Sequence, residues 1–152
     1  MKKYLALFLA ALCCCTLCIT SAAASDVDEV IISTTRIDLP DGGYIIEEVT
    51  QTPTLARATS YSSGAKTSTR YTESGHALYA VKVTGSFGYN GSSSWATGSS
   101  ATVSIYDSGV TYVSKNAWYS GNTAYASGTI KYLGITESRT VSISCDKNGN
   151  LY

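Results

Sequence analysis

The sequence predicts an all-β protein: a small antiparallel β-sandwich of about six strands, preceded by an N-terminal β-hairpin segment and a cleaved signal peptide. Three observations predict it. Beyond residue 24 the chain is rich in Ser, Thr, Gly and Tyr and poor in Leu and Met, a composition that suits pleated surfaces and tight turns. Turn signals recur about every ten residues, the spacing of sandwiches and small barrels. Apolar and polar residues alternate at period two, and no helical period appears after the first segment.

Residues 1–24 read as an export signal. Lys2 and Lys3 open it, Tyr4 to Ile19 is uncharged and apolar, and Ala22-Ala23-Ala24 supplies the small residues a signal peptidase requires. The apolar run, about 16 residues, is shorter than the roughly 20 needed to span a bilayer. Cleavage before Ser25 leaves no membrane anchor and predicts a secreted, extracellular protein. Lipidation is disfavoured, because Leu12, Cys13, Cys14 and Leu17 stand where a lipobox needs a small residue. The chain stops at Leu151-Tyr152 with no wall-sorting motif, so release into the medium is expected.

Residues 25–63 form an acidic hairpin segment and linker. Val30–Ile37 and Tyr44–Thr50 are β-rich runs across Pro40-Asp41-Gly42-Gly43, where proline fixes φ and glycine accepts positive φ. Gln51–Ser63 reads as linker. Residues 64–152 form the sandwich domain. Its strands are Ala65–Thr72, Ala77–Phe87, a segment holding Ala101, Val103 and Ile105, then Val110–Tyr119, Thr123–Leu133 and Thr136–Cys145. Turns fall at Glu73–His76, in the Ser-rich loop after Tyr89, at Asp107–Gly109, at Gly121-Asn122 and at Asp146–Asn150.

Charge is unevenly placed. Ser25–Ala56 holds seven acids and one base, Arg36, whereas the chain from Arg57 onward holds eight bases and four acids. Two independent solvated surfaces are the simplest reading; an acidic hairpin lying on a basic body is the alternative. No dense basic patch marks a nucleic-acid binder. Four of the five cysteines lie in the signal, leaving Cys145 alone. Period two puts it with Val141 and Ile143 on the core side, as a buried thiol.

No catalytic, cofactor or metal constellation emerges, and the chain is read as a non-enzyme. His76, the lone histidine, sits in a turn after Gly75 without a serine elbow. Glu73, Asp107, Glu137 and Asp146 lie at turns or strand ends, and Glu47-Glu48 point to opposite faces. Asp146–Asn150 is too short for a calcium loop. Aromatic residues remain. Trp95, Trp118 and Tyr119 are the candidate ligand-contact residues, able to stack on sugar rings or anchor a protein. The competing reading has both tryptophans filling the core, and the shortage of other large apolar groups favours it.

The chain resembles a group of small secreted all-β proteins of unknown function from Gram-positive, often gut-dwelling, bacteria. The likeness rests on Asp41-Gly-Gly-Tyr44, Gly64-Ala-Lys-Thr67, Lys82-Val-Thr-Gly-Ser-Phe-Gly-Tyr-Asn-Gly91, Ser120-Gly-Asn-Thr-Ala-Tyr-Ala-Ser-Gly128 and Val141-Ser-Ile-Ser-Cys145. It implies a secreted β-domain and no catalytic residues. It also implies a second cysteine, partner to Cys145, where this chain carries Ala96. The functional expectation is an exported binding or surface-associated domain whose ligand is a glycan, a wall polymer or a protein. The alternative is a secreted bacteriocin-like protein that sheds its acidic segment near Ala56-Arg57-Ala58.

Overall fold

The computed structural model describes residues 29–52 and 60–152; the signal segment and the Ala56–Ala58 neighbourhood lie outside them. The described residues form eight strands and no helix: β1 (Val30–Asp38), β2 (Tyr44–Thr52), β3 (Tyr61–Tyr71), β4 (Ala77–Tyr89), β5 (Ser94–Ile105), β6 (Val110–Ser120), β7 (Thr123–Tyr132) and β8 (Ile135–Ser144). Each sheet is an antiparallel meander, with five strands ordered β1-β2-β3-β4-β5 and three ordered β6-β7-β8. The chain crosses between sheets at Asp107–Gly109. There Asp107 accepts the Gly109 N–H at 2.7 Å, and the N–H groups of Tyr106 and Asp107 both donate to the Leu78 carbonyl.

The inner faces interlock large on small. β4 contributes Val81, Val83 and Phe87, and β7 answers with Ala124, Ala126, Gly128 and Ile130. A Cβ on Gly128 would stand 2.7 Å from Val103 and 2.8 Å from Val81; one on Gly85 would meet Phe87 at 2.6 Å. Those glycines let the sheets approach closely enough to pack at interior density. Cys145 joins the same cluster, fully buried and unpaired. Burial, and then the neighbouring Asp146 carboxylate, push its thiol up to about 11, so it stays protonated and inert at neutral pH.

Two strand boundaries differ from the sequence reading. β3 begins at Tyr61 and β5 at Ser94, so part of the expected linker is strand, and β5 reaches back to the Ser-rich loop, which itself lies at Asn90–Ser93 as expected. Both stretches are Ser- and Gly-rich, which suggests loop locally. They are extended because they complete ladders along β2 and β4, a tertiary term that outweighs local preference.

The acidic and basic halves do not ignore each other. The whole of β2 pairs with β3, from Tyr44–Tyr71 to Thr52–Ser63, and four ion pairs join the segments: Glu29–Lys82, Asp41–Arg70, Glu47–Lys66 and Glu47–Arg139. Glu47 is the centre of this contact, 2.9 Å from Lys66 and 3.0 Å from Arg139. Burial pushes its carboxyl up, but Lys66 and Arg139 together outweigh burial and hold it below the usual range. A depressed folded-state value means stability present above the unfolded-state pKa and lost as pH falls through the folded one. Glu47→Gln is expected to lower the unfolding free energy by about 1.5–3 kcal/mol at neutral pH, the worth of hydrogen bonds to a charged group. Wild-type and variant melting temperatures measured against pH should converge in acid. A gap that persists below the carboxylate range would exclude this electrostatic origin.

Candidate functional site

The strand register decides where each aromatic residue points. On β7 the even positions are buried against the first sheet, so Thr123, Tyr125, Ser127 and Thr129 face outward. Pairing carries that face across the sheet. Ser114, Thr129 and Ser138 form one row; Asn116, Ser127 and Thr140 the next; Trp118, Tyr125 and Ser142 the third; Ser120, Thr123 and Ser144 the last. Hydroxyl pairs Thr129–Ser138 at 2.9 Å and Thr123–Ser144 at 2.8 Å confirm the shared face. Apart from the two rings, every position in these rows is Ser, Thr or Asn. The first charge on this face is Lys131, paired with Thr111 beyond the rows.

Trp118 and Tyr125 are directly opposed across β6 and β7. Their rings stack with centroids 5.2 Å apart and planes within 3°. Trp118 is 39% exposed, which corrects the expectation that it fills the core. Opposite Trp118 the core side of β7 is lined by Ala124, Ala126 and Gly128, which leaves the sheets too close for an indole. Tyr119 follows Trp118 in the strand and so faces the opposite way, paired with Ala124 at the rim of the β6 edge, and it is 53% exposed.

Trp95 lies elsewhere. It pairs with Gly88 on the outer face of the five-stranded sheet, since the neighbouring positions Ala96 and Phe87 are buried inward. A Cβ on Gly88 would stand 2.6 Å from the indole ring, so the missing side chain lets the indole lie against the strand. It too is exposed, at 43%. The three predicted contact residues therefore belong to three surfaces. Tyr125 was missed, although the tight turn at Gly121-Asn122 pairs position 118 with 125 by counting back from it.

A cleft of about 470 Å³ opens beside β2, β3 and β8, lined in part by Ile45, Arg70, Tyr79, Glu137 and Arg139. Its charged groups are satisfied within the protein. Arg70 donates to Asp41 and to the Tyr71 carbonyl. Arg139 donates to Ser68 at 2.5 Å and to Glu47. The Tyr79 hydroxyl donates to Glu137 at 3.0 Å. Burial first, then the Glu137 charge, raise Tyr79 to about 12, so it remains a protonated donor. This is a neutral, self-paired network that ties the acidic strands to the body.

His76 is exposed in its turn, as expected, with an unforeseen partner: its Nε2 lies 2.9 Å from Asp107 Oδ2. The Gly109 N–H, then His76, hold Asp107 below the usual carboxylate range. The contact links the β3–β4 turn to the crossover between sheets. Asp146 accepts from the Asn148 and Asn150 N–H groups and the Asn150 side chain, so its oxygens close its own turn. Among the described residues no group of three His, Cys, Asp or Glu could hold a metal ion. Among them, too, no helix is long and apolar enough to cross a membrane. Comparison with protein-family models, curated proteins and solved structures finds no match.

Proposed function

We propose that the protein is an exported, non-catalytic β-sandwich that binds a neutral polysaccharide, such as a glycan or wall polymer, on the outer face of β6–β8. The stacked Trp118–Tyr125 pair, set among uncharged hydroxyls, carries the reading. Sugar rings present C–H faces that pack on aromatic rings. Their hydroxyls are met by Ser, Thr and Asn, which both donate and accept. A face without charge suits a ligand without charge, because no ion must be stripped of water on binding.

The test is retention of the purified protein on insoluble peptidoglycan, mucin and plant polysaccharides, with Trp118→Ala alongside. Wild type should be retained by one of them, and the variant should bind about 10- to 30-fold more weakly, a loss of roughly 1.4–2 kcal/mol for a stacking anchor. Equal retention of the two proteins would exclude this face.

The bacteriocin-like alternative requires loss of the acidic segment. β2 supplies Val49 to the core cluster and Glu47 to Lys66 and Arg139. Its removal would uncover the edge of β3 and strand two cations, which favours the binding reading. Mass spectrometry of the secreted form separates them: an N-terminus at Ser25 is expected here, and one near Ala58 would support the alternative.

A further inference from the structure

We infer that the module is bivalent, with a second sugar-stacking site centred on Trp95, so that one molecule bridges two strands of a neutral polysaccharide; this rests on the binding reading above.

The argument is geometric. Trp118 stands on the outer face of one sheet and Trp95 on the outer face of the other. The two inner faces are sealed together around Val81, Phe87 and Ile130, so the outer faces look away from each other. One flat surface cannot touch both indoles.

The surroundings of Trp95 repeat the chemistry of the first face. Its row is Tyr61, Gly88 and Trp95, and Tyr61 is 53% exposed. The two rows behind it carry Ser63, Ser86 and Gly98, then Ala65, Thr84 and Ser100. Charge begins one strand over, where Glu29 accepts from Thr50 beside Ala65, and in the next row, which holds Lys82 and Glu48; Lys82 pairs with Glu29 at 3.4 Å. Gly88 supplies the shape. With no Cβ on Gly88, the indole lies against the strand and stays 43% exposed, leaving area on which a pyranose ring can pack. A glycine beneath an aromatic ring also supports a strand by itself, but that role asks for no uncharged hydroxyl rows around it.

The chain contains two tryptophans, so each single variant leaves one indole as its own reporter. Soluble cello-oligosaccharide and chitin oligosaccharide serve as probes, with suspended particles of whichever polymer retains wild type. In Trp118→Ala, the remaining Trp95 emission should shift on adding the probe, and in Trp95→Ala that of Trp118 should shift. Wild type should agglutinate the particles. Each single variant should still bind them yet agglutinate at least tenfold less, and the double variant should do neither. Gly88→Ala, which keeps the indole but displaces it, should behave as Trp95→Ala. If Trp95→Ala agglutinates as wild type does, or Trp95 emission is unmoved in Trp118→Ala, bivalency is overturned while the first site stands. If wild type is retained by no polymer, both readings fall.

Discussion

Phe87→Ala is expected to lower the unfolding free energy by about 3–5 kcal/mol. Among the described residues the side chain is the largest fully buried one, at 0% exposure. It projects from the long central strand β4 into a space bounded by Gly85 and Ala124. Neither neighbour has atoms to spare for filling the void, and the meander pins the backbone on both sides through β3 and β5. The site therefore collapses poorly, which places it at the costly end of large-to-small substitutions. A single domain typically has about 5–15 kcal/mol in all, so the variant should be partly unfolded at physiological temperature. Urea unfolding measures it: the midpoint should fall while the slope is unchanged. A cost near 1 kcal/mol would mean that the sheets slide together after truncation, and the large-on-small interlock would not be what holds them.

The same interlock explains what the sequence revealed and what it hid. Period two in Ala77–Phe87 identified β4 and its inward face, because a central strand must alternate wherever another sheet covers it. The turns were legible because their chemistry is local. Gly42, Gly75, Gly121 and Gly149 all adopt positive φ, and each sits in a turn read from sequence. Strand ends in Ser- and Gly-rich stretches were not legible, since nothing local distinguishes Ser94–Ser100 from a loop; only the ladder with β4 does. The tryptophans were misplaced for a related reason. Composition alone puts large apolar groups inside, but the space between these sheets is set by Ala124, Ala126 and Gly128, and an indole does not fit there. The union of acidic and basic halves was equally hidden, because net charge by segment carries no register. Pairing Glu47 with Ser68 and Glu48 with Thr67 is what turns Glu47 inward toward Arg139.

The second large effect concerns Cys145 and Ala96, the position where the resemblance drawn from the sequence leads one to expect a cysteine. Ala96 and Cys145 are both buried in the core cluster. They flank one turn: Ala96 N–H donates to the Gly121 carbonyl and Cys145 N–H to that of Asn122. Ser94, on the same face of β5 as Ala96, donates its hydroxyl to the Cys145 carbonyl at 2.7 Å. These bonds hold the start of β5 against the end of β8, so Ala96→Cys is expected to form a disulfide that joins the two sheets. It would close a loop of about fifty residues, worth roughly 4 kcal/mol where no strain opposes it. Route matters, because the Cys145 thiol is buried and its ionisation suppressed. Adding oxidant to the folded variant should do little, whereas refolding it under oxidising conditions should consume both thiols. Thiol titration and melting temperatures with and without reductant read the outcome. A rise in melting temperature that reductant abolishes would place positions 96 and 145 within bonding geometry and give the chain a brace between its sheets. Two thiols surviving oxidative refolding would place the side chains outside bonding geometry, and the likeness at position 96 would then have no structural basis.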